Sequence, residues 1–365
     1  MPDTTVLIKP ASGLCNMRCR YCFYYGGEGH SNGIMSAETL EALIKRTFEY
    51  AGSDGRAHRV SLAFQGGEPT LAGLDYFKSV VSLVEKYNLT GHTVCYAVQT
   101  NGLCIDRETA EFFAKNRFLA GVSLDGNCEI HDMNRIDASG HATFAKVMKT
   151  LRLFDSVGVE YNILCVVSRA AARRPAAVYD SLTGAGFRYL QFIPCLDRGD
   201  GKFAPDPETY GKFLCTVFDR WYKDITSGKR ISVRDFDNYI LRAAGRLPEI
   251  CTMRGICGCY FTVEADGSVY PCDFFVMPEW RIGNVADMSF SDMLSSDTAK
   301  RFISESTAHP EECRHCRYYG FCGSGCRSLR NADGKNIFCE SYKMFLDHSG
   351  ARIYELSRRF FQRII

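Results

Sequence analysis

The sequence predicts an α/β protein, built as a partial parallel (β/α)6 barrel with a cysteine-rich domain after it. Apolar runs rich in Val, Ile, Leu, Phe and Tyr alternate with longer helix-like stretches through the first 230 residues. Six such strand–helix units are too few for a closed barrel of eight and fit an open one. From about residue 248 the composition changes: cysteines and glycines become frequent, and the helical periodicity of the apolar residues fades.

Each predicted element has its own local signal. The six predicted strands span 5–9, 59–65, 93–100, 119–124, 160–167 and 189–194. The predicted helices span 36–51, 73–88, 106–116, 141–157, 175–185 and 206–227. Ser36 is a good N-cap for the first helix. In a barrel of this kind, functional groups gather where the strands end.

The C-terminal part predicts a hairpin and a final helix. Residues 261–264 and 268–271 flank Ala265-Asp266-Gly267, which is a hairpin signal. From about Ser341 the chain is amphipathic, with aromatic and basic side chains. We therefore predict a barrel over 1–230, a cysteine-rich domain with a β-hairpin over 231–345, and a C-terminal helix over 346–365.

Composition excludes several classes of protein. With 46% apolar residues, a chain of 365 residues can bury a core without disulfides. The 44 basic and 42 acidic side chains leave a net charge of +2, which is not the footprint of a nucleic-acid-binding domain. The N-terminus has no secretory pattern, and no apolar run approaches the ~18 residues of a membrane helix. We expect a cytoplasmic protein without a nucleic-acid or membrane partner.

The 18 cysteines are the anomaly of the composition. In a reducing compartment, clustered thiols are more often metal ligands than disulfides. The eight histidines do not follow the cysteines, since only His315 lies inside a cluster. This distribution favours iron–sulfur clusters over mixed Cys/His zinc sites.

Three cysteines follow the first predicted strand. Cys15, Cys19 and Cys22 form a Cys-x3-Cys-x2-Cys pattern with Tyr21 before the last of them. A [4Fe–4S] cluster normally takes four thiolates, so three would leave one iron open for a chelating substrate. The alternatives are a three-ligand zinc site or a chance group of thiols.

This segment resembles the signature of the radical S-adenosylmethionine (SAM) superfamily, Cys-x3-Cys-x-aromatic-Cys. The resemblance implies that the amino and carboxylate groups of SAM chelate the open iron. One electron then cleaves SAM and releases a 5′-deoxyadenosyl radical, which abstracts hydrogen from the substrate.

The same resemblance implies a set of SAM contacts. Gly66, Gly67 and Glu68 match the superfamily's Gly-Gly-Glu motif, which contacts the SAM amino group. Ser123 and Arg135 suit the carboxylate and ribose, and the alternatives are a turn serine and a solvated arginine. Leu196 is placed against the adenine, or is an ordinary core leucine. The full cofactor-binding set is Tyr21, Gly66, Gly67, Glu68, Ser123, Arg135 and Leu196.

Eight further cysteines have spacings that suffice for two fully ligated [4Fe–4S] clusters. They are Cys251, Cys257, Cys272, Cys313, Cys316, Cys322, Cys326 and Cys339. A zinc module would repeat Cys-x2-Cys pairs, and only Cys313 and Cys316 form one.

The pattern resembles the SPASM auxiliary-cluster domain. That resemblance implies two ligand sets, Cys251, Cys257, Cys272 and Cys326 for one cluster, and Cys313, Cys316, Cys322 and Cys339 for the other. Together with the first cluster this makes three [4Fe–4S] clusters. We expect the remaining cysteines to be buried free thiols: Cys95, Cys104, Cys128, Cys165, Cys195, Cys215 and Cys259.

Six segments resemble the anaerobic sulfatase-maturating enzymes, at 22–24, 64–70, 99–102, 162–167, 191–197 and 266–274. Such enzymes oxidise a cysteine or serine in a sulfatase Cys/Ser-x-Pro-x-Arg motif to Cα-formylglycine. The resemblance implies that Asp273 is the base and that the auxiliary clusters accept an electron. Tyr24 and Gln65 would line the substrate pocket. The implied partners are an unfolded or nascent sulfatase segment and a small electron donor such as flavodoxin or ferredoxin.

Two other functions stay open at this point. One is another SPASM maturase that forms a thioether or crosslink on a ribosomal peptide. The first predicted strand begins at residue 5, which leaves little chain before it for a peptide-recognition domain and so favours the sulfatase-maturating activity. The other is a non-enzymatic zinc or electron-carrier protein, which iron analysis would identify.

Overall fold

The computed structural model describes residues 3–24, 33–196 and 201–361. Within them the strands are β1 Thr4–Ile8, β2 Arg59–Phe64, β3 Thr93–Thr100, β4 Leu119–Ser123, β5 Tyr161–Val167, β6 Tyr189–Pro194, β7 Ser232–Val233, β8 Phe261–Val263, β9 Ser268–Tyr270 and β10 Gly283–Asn284.

The helices of the same residues are α1 Ala37–Ala51, α2 Leu74–Tyr87, α3 Arg107–Lys115, α4 Cys128–Asn134, α5 Phe144–Val157, α6 Arg169–Ala172, α7 Pro175–Gly184, α8 Pro207–Thr226, α9 Arg234–Ala243, α10 Phe290–Ser295, α11 Asp297–Ser306, α12 Glu311–Arg314, α13 Tyr319–Cys322 and α14 Cys339–Phe361. None of the described helices is both long and apolar enough to cross a membrane.

The chain divides into two compact units that do not follow its linear order. The first unit contains residues 1–123, 136–161 and 258–303. The second unit contains residues 124–135, 162–257 and 304–365. The predicted boundaries at 230 and 345 stay predictions.

In the first unit, strands lie in the order β10-β9-β8-β1-β2-β3-β4. Neighbours from β8 through β4 are parallel, whereas β9 and β10 are antiparallel additions. The predicted hairpin is confirmed as β8 and β9. The sequence did not predict that β8 pairs in parallel with β1, because no local signal specifies a partner so far along the chain.

Aromatic packing holds the helices of the first unit to its sheet. The Phe64 ring of β2 lies 5.3 Å from that of Phe77 in α2, and Phe113 of α3 lies 4.8 Å from Phe118. All four side chains are buried. Rings at these separations bury large apolar areas and interlock by edge and face. This packing fixes the carboxyl end of β2 against α2.

The second unit contains the parallel strands β5, β6 and β7. Helix α14 packs against α8 and α9. Phe345 of α14 stacks on Phe236 of α9 at 5.5 Å and meets Phe218 of α8 at 5.6 Å. Because α14 begins at Cys339, this packing determines the position of one predicted cluster ligand.

The six predicted strands and six predicted helices all occur, with ends within three residues of those expected. Ser36 caps α1 as predicted, since its side chain accepts a hydrogen bond from the Thr39 amide. The helical period did not fade as far as expected after residue 248, because α10 and α11 follow the hairpin. Helix α9 was also missed, although Phe236, Tyr239 and Ile240 give it a buried apolar face.

Candidate active site and iron–sulfur ligands

The first three cysteines lie on the loop that follows β1. The Cys22 amide donates to the Cys19 carbonyl at 3.0 Å, which closes a tight turn. Asn101, at the end of β3, places its Nδ2 3.7 Å from Cys15 Sγ. Burial raises the pKa of Cys15, and nearby negative charge at Glu68 and Cys22 adds to the effect. Three thiols grouped on one loop are the donor type that an iron–sulfur cluster takes.

The Gly-Gly-Glu segment after β2 forms backbone hydrogen bonds to the residues that precede Cys15. The Gly67 amide donates to the Ser12 carbonyl at 2.7 Å, and the Glu68 amide donates to the Leu14 carbonyl at 2.8 Å. A Cβ atom on Gly67 would lie 2.0 Å from the Leu14 oxygen, so no larger residue fits. The glycine therefore allows two backbone segments to approach, one of which carries Cys15.

Glu68 is fully buried, and protein donors occupy its carboxylate. Its Oε1 accepts from the Thr70 amide at 3.1 Å, the Thr70 hydroxyl at 2.6 Å and the Thr100 hydroxyl at 2.8 Å. Its Oε2 accepts from the Asn101 amide at 2.7 Å. Burial raises the pKa of Glu68. The carboxylate joins the ends of β2 and β3, a role that sequence reasoning missed; its contact with SAM stays a prediction.

Arg135, in the second unit, is buried rather than solvated. Its Nε lies 3.0 Å from Asp125 Oδ2, and the other Asp125 oxygen accepts from the Val166 amide at 2.9 Å. The Asp125 amide donates to His131 Nδ1 at 3.2 Å. Burial lowers the pKa of His131 to about 4, so its imidazole is neutral. Asp125 and His131 were not predicted, although a carboxylate after an apolar strand was a visible signal.

The other predicted SAM contacts have varied surroundings. Ser123 ends β4 and is buried, whereas Tyr21 and Leu196 are half-buried. Residue 197, the last of one resembling segment, lies outside the described residues. The cofactor roles of these side chains stay predictions.

The second unit brings together the four thiols of one predicted auxiliary set. Burial raises the pKa of Cys322 to about 12, and the thiols of Cys339, Cys313 and Cys316 add to the shift. The loop after Cys322 is tightly curled, because residues 323–325 all have left-handed backbone, with φ of 56°, 66° and 65°. These thiols share one neighbourhood, as a single cluster would require, and their ligand roles stay predictions.

Three members of the other predicted set are also close to one another in the second unit. Burial raises the pKa of Cys257, with Cys326 and Cys251 contributing next. Cys272, the fourth member, belongs to the first unit and immediately precedes Asp273. Among the described residues, no three His, Cys, Asp or Glu side chains are grouped closely enough to hold one metal ion.

The expectation that the other seven cysteines are buried is wrong for two of them. Cys104 and Cys128 are exposed, whereas Cys165 and Cys195 are buried and the other three are intermediate. Cys128 begins the surface helix α4 and donates to Asp132 one turn later at 3.1 Å. Cys104 lies in the loop after β3, where Asn16 donates to its sulfur at 2.9 Å.

Asp273 begins a short helical turn at 273–275 and forms an ion pair with Lys9. Its side chain is 22% exposed, whereas that of Lys9 is fully buried. Tyr24 is buried and donates its hydroxyl hydrogen bond to Glu264, while Gln65 is half-buried. Lys9 and Glu264 were missed, although each is a charged residue directly after an apolar strand.

Comparison with known proteins identifies the class. Residues 10–169 match the radical SAM superfamily, and residues 255–317 match the SPASM iron–sulfur cluster-binding domain. The α/β fold with its parallel sheet is that of a radical SAM partial barrel, which confirms the predicted fold class. The chain is a radical SAM protein with a SPASM domain.

Full-length relatives narrow this further. The chain is 41% identical to the cysteine-type anaerobic sulfatase-maturating enzyme of Clostridium novyi, across 97% of each protein. It is 32% identical to a serine-type enzyme of Bacteroides thetaiotaomicron, across 94% of this chain and 88% of that protein. The structure of native anSMEcpe with bound AdoMet and Kp18Cys peptide superimposes with a TM-score of 0.94, at 41% identity, over 98% of this chain and all of that one. The chain belongs to the anaerobic sulfatase-maturating enzymes.

Proposed function

We propose that this protein oxidises a cysteine in a sulfatase Cys-x-Pro-x-Arg segment to Cα-formylglycine, with Asp273 as the base. The observation that carries the proposal is its full-length identity to the enzymes it matches. Identity is 41% and 40% with two cysteine-type enzymes, but 32% and 30% with two serine-type ones. We infer that cysteine is the preferred substrate.

The donor chemistry supports three [4Fe–4S] clusters. Cys15, Cys19 and Cys22 would hold the one that binds SAM. The two SPASM sets would be held by Cys251, Cys257, Cys272 and Cys326, and by Cys313, Cys316, Cys322 and Cys339. When bound, these groups supply electron transfer, by giving the electron that cleaves SAM and accepting one from the substrate.

A side chain of the protein must accept the proton that the substrate thiol loses. Conversion of the substrate cysteine to a thioaldehyde removes one hydrogen atom from Cβ, one proton from sulfur and one electron. Hydrolysis then replaces sulfur with oxygen. Asp273 is the group we assign to the proton, because its partly exposed carboxylate can accept from a bound thiol within hydrogen-bond distance.

Binding of SAM would use the predicted contact set. Gly66 and Gly67 bring the backbone close, Ser123 offers a hydroxyl, and buried Arg135 is oriented by Asp125. Tyr24 and Gln65 are the proposed pocket residues for the peptide. A reducing protein such as flavodoxin or ferredoxin would supply the electron, and the predicted cytoplasmic location would provide one.

An anaerobic assay tests the activity. The iron-loaded protein receives a reductant, SAM and either a Cys-x-Pro-x-Arg or a Ser-x-Pro-x-Arg peptide, and mass spectrometry follows each peptide. We expect faster conversion of the cysteine peptide to the aldehyde. Crosslinked or thioether product, or deoxyadenosine without peptide change, would refute the proposal.

Asp273→Asn tests the base. An amide of the same shape cannot accept the proton, so aldehyde formation should fall by about 10²–10⁴-fold while deoxyadenosine still forms. Asp266→Asn is the matched control, since the Asp266 carboxylate accepts hydrogen bonds from the Ser268 amide and hydroxyl within the hairpin turn. Wild-type product yield in Asp273→Asn would remove Asp273 from the role.

A further inference from the structure

A buried network of polar side chains connects the segment that follows Cys22 with the residue that follows Cys272. Its members are Lys9, Ser12, Tyr24, Glu264 and Asp273, all in the first unit, and we call them the Lys9 network. Tyr24 lies two residues after Cys22, and Asp273 lies directly after Cys272. Lys9 is at its centre, with its ammonium 3.7 Å from the centroid of the Tyr24 ring.

The ammonium of Lys9 contacts one carboxylate more closely than the other. It forms a short ion pair with Asp273 Oδ1 but lies 3.9 Å from the nearest oxygen of Glu264. A fully buried ammonium has lost its hydration and needs a negative partner at hydrogen-bond distance. Asp273 is that partner.

Hydroxyl groups occupy Glu264. Ser12 donates to its Oε2 at 2.8 Å, and Tyr24 donates to its Oε1. With each Glu264 oxygen already paired, Lys9 is directed towards Asp273.

Ser12 has a strained backbone conformation at the position from which its hydroxyl contacts Glu264. Its φ is 46°, in the left-handed region that favours glycine, and among the described residues only Arg117 and Ser324 share that feature without being glycine. Ser12 is fully buried, and its carbonyl accepts from the Gly67 amide at 2.7 Å. Glycine would adopt this backbone without strain but lacks the hydroxyl that reaches Glu264.

Asp273 is the member of the network that reaches solvent. Its side chain is 22% exposed, whereas those of Lys9 and Glu264 are at most 1% exposed. Its Oδ1 is buried against Lys9. The contact thus leaves Oδ2 as the oxygen for an outside ligand.

We propose that Lys9 is a positioning residue for Asp273: it holds Oδ1 so that Oδ2 faces the cysteine of the bound peptide. Glu264, Ser12 and Tyr24 hold Lys9 in place. The inference rests on the proposed role of Asp273 as the base.

Lys9→Met tests the inference in the iron-loaded enzyme with SAM and the cysteine peptide. Methionine keeps the length of the chain but cannot hold the carboxylate. The ratio of aldehyde to deoxyadenosine should fall about 10- to 100-fold, as expected when a reacting group is misplaced. Iron per chain, peptide affinity and total deoxyadenosine should stay near wild type. An unchanged ratio overturns the proposal, as does a parallel loss of both products with loss of iron.

The double variant Lys9→Met with Glu264→Gln separates positioning from charge balance. If Lys9 only neutralises Glu264, removing both charges restores the ratio, and the proposal is wrong. If Lys9 positions Asp273, the ratio stays low. Should Lys9→Met fail to fold, Ser12→Ala serves instead, because an unpaired Glu264 oxygen would draw Lys9 away from Asp273; an unchanged ratio there also overturns the proposal.

Asp273→Asn distinguishes the two levels of failure. If it uncouples aldehyde from deoxyadenosine and Lys9→Met does not, Asp273 keeps its role and Lys9 loses the one we assign. If Asp273→Asn remains coupled, the proposed base itself is wrong.

Discussion

The cysteine loop at 15–22 and the cysteine segment at 313–339 hold thiols in contrasting surroundings. Around the first, polar side chains such as Glu68 and Asn101 are held by hydrogen bonds to one another and to nearby backbone. Around the second, Cys322 has the phenols of buried Tyr239 and half-buried Tyr342 among its neighbours. Both phenols have a raised pKa, chiefly because of desolvation.

This difference matches the work proposed for each site. A cluster that binds a charged nucleotide needs oriented polar groups that do not move when the ligand arrives. A cluster that only passes electrons needs burial and an apolar boundary, which tune its potential. Damage to the first site should therefore stop SAM cleavage, and damage to the second should stop only the later oxidation.

Removal of one thiol from each site should have the largest effect. Cys15→Ala should reduce deoxyadenosine to background, because the cluster that we propose to bind SAM would lose a ligand. Cys316→Ala should keep most deoxyadenosine formation but lose the aldehyde. Iron should be about twelve per chain in the wild type and fall by about four in each variant. Equal loss of deoxyadenosine in both variants would break the comparison.

Glycine substitutions should give the next largest effects. In Gly67→Ala the new Cβ would lie 2.0 Å from the Leu14 oxygen, and in Gly323→Ala it would lie 2.7 Å from the Gly255 nitrogen. Each should lower the free energy of unfolding by about 2–4 kcal/mol, with Gly67→Ala the more severe. Only Gly67→Ala should also abolish deoxyadenosine.

Gly184→Ala is the control for both, since a Cβ there has no atom within 4 Å. Urea unfolding under anaerobic conditions measures the stabilities. A loss in Gly184→Ala as large as in the other two variants would show that steric crowding is not the cause.

The smallest effect concerns the dependence of stability on pH. Burial raises the pKa of Asp237 from 3.8 to about 6, so the folded protein binds this proton more tightly than the unfolded chain does. Between pH 4 and 6 the unfolded chain releases this proton first, and the free energy of unfolding falls as pH rises. Asp237→Asn should therefore be more stable than wild type by about 1–3 kcal/mol at pH 7.5 and equal to it near pH 4.

Asp106→Asn should change stability in the opposite sense. Asp106 caps α3, and the hydrogen bond from the Thr109 amide lowers its pKa. Its ionised form stabilises the fold at neutral pH, and that contribution disappears as pH falls through the lowered pKa. Urea titrations across this pH range compare the two variants, and shifts of the same sign would contradict both assignments.

Much of the site could be predicted because its signals are local. The spacing of Cys15, Cys19 and Cys22 after an apolar run identifies a cluster loop within eight residues. Asp273 was found because it adjoins Cys272 in a recognisable segment. Lys9 could not be assigned to Asp273, because 264 residues separate the two along the chain, and they meet only because β1 pairs with β8.

The sequence by itself determined the order of strands and helices, the thiol pattern and the family, since periodicity and spacing are properties of short segments. Tertiary structure alone decided that the hairpin β8–β9 extends the sheet of the first unit. It also decided that the Glu68 carboxylate accepts hydrogen bonds from protein donors and that Lys9 forms an ion pair with Asp273. A charged group that is buried loses its hydrating water and needs an oppositely charged partner in its place. That partner can be far away in the sequence, so only the folded chain shows which residue it is.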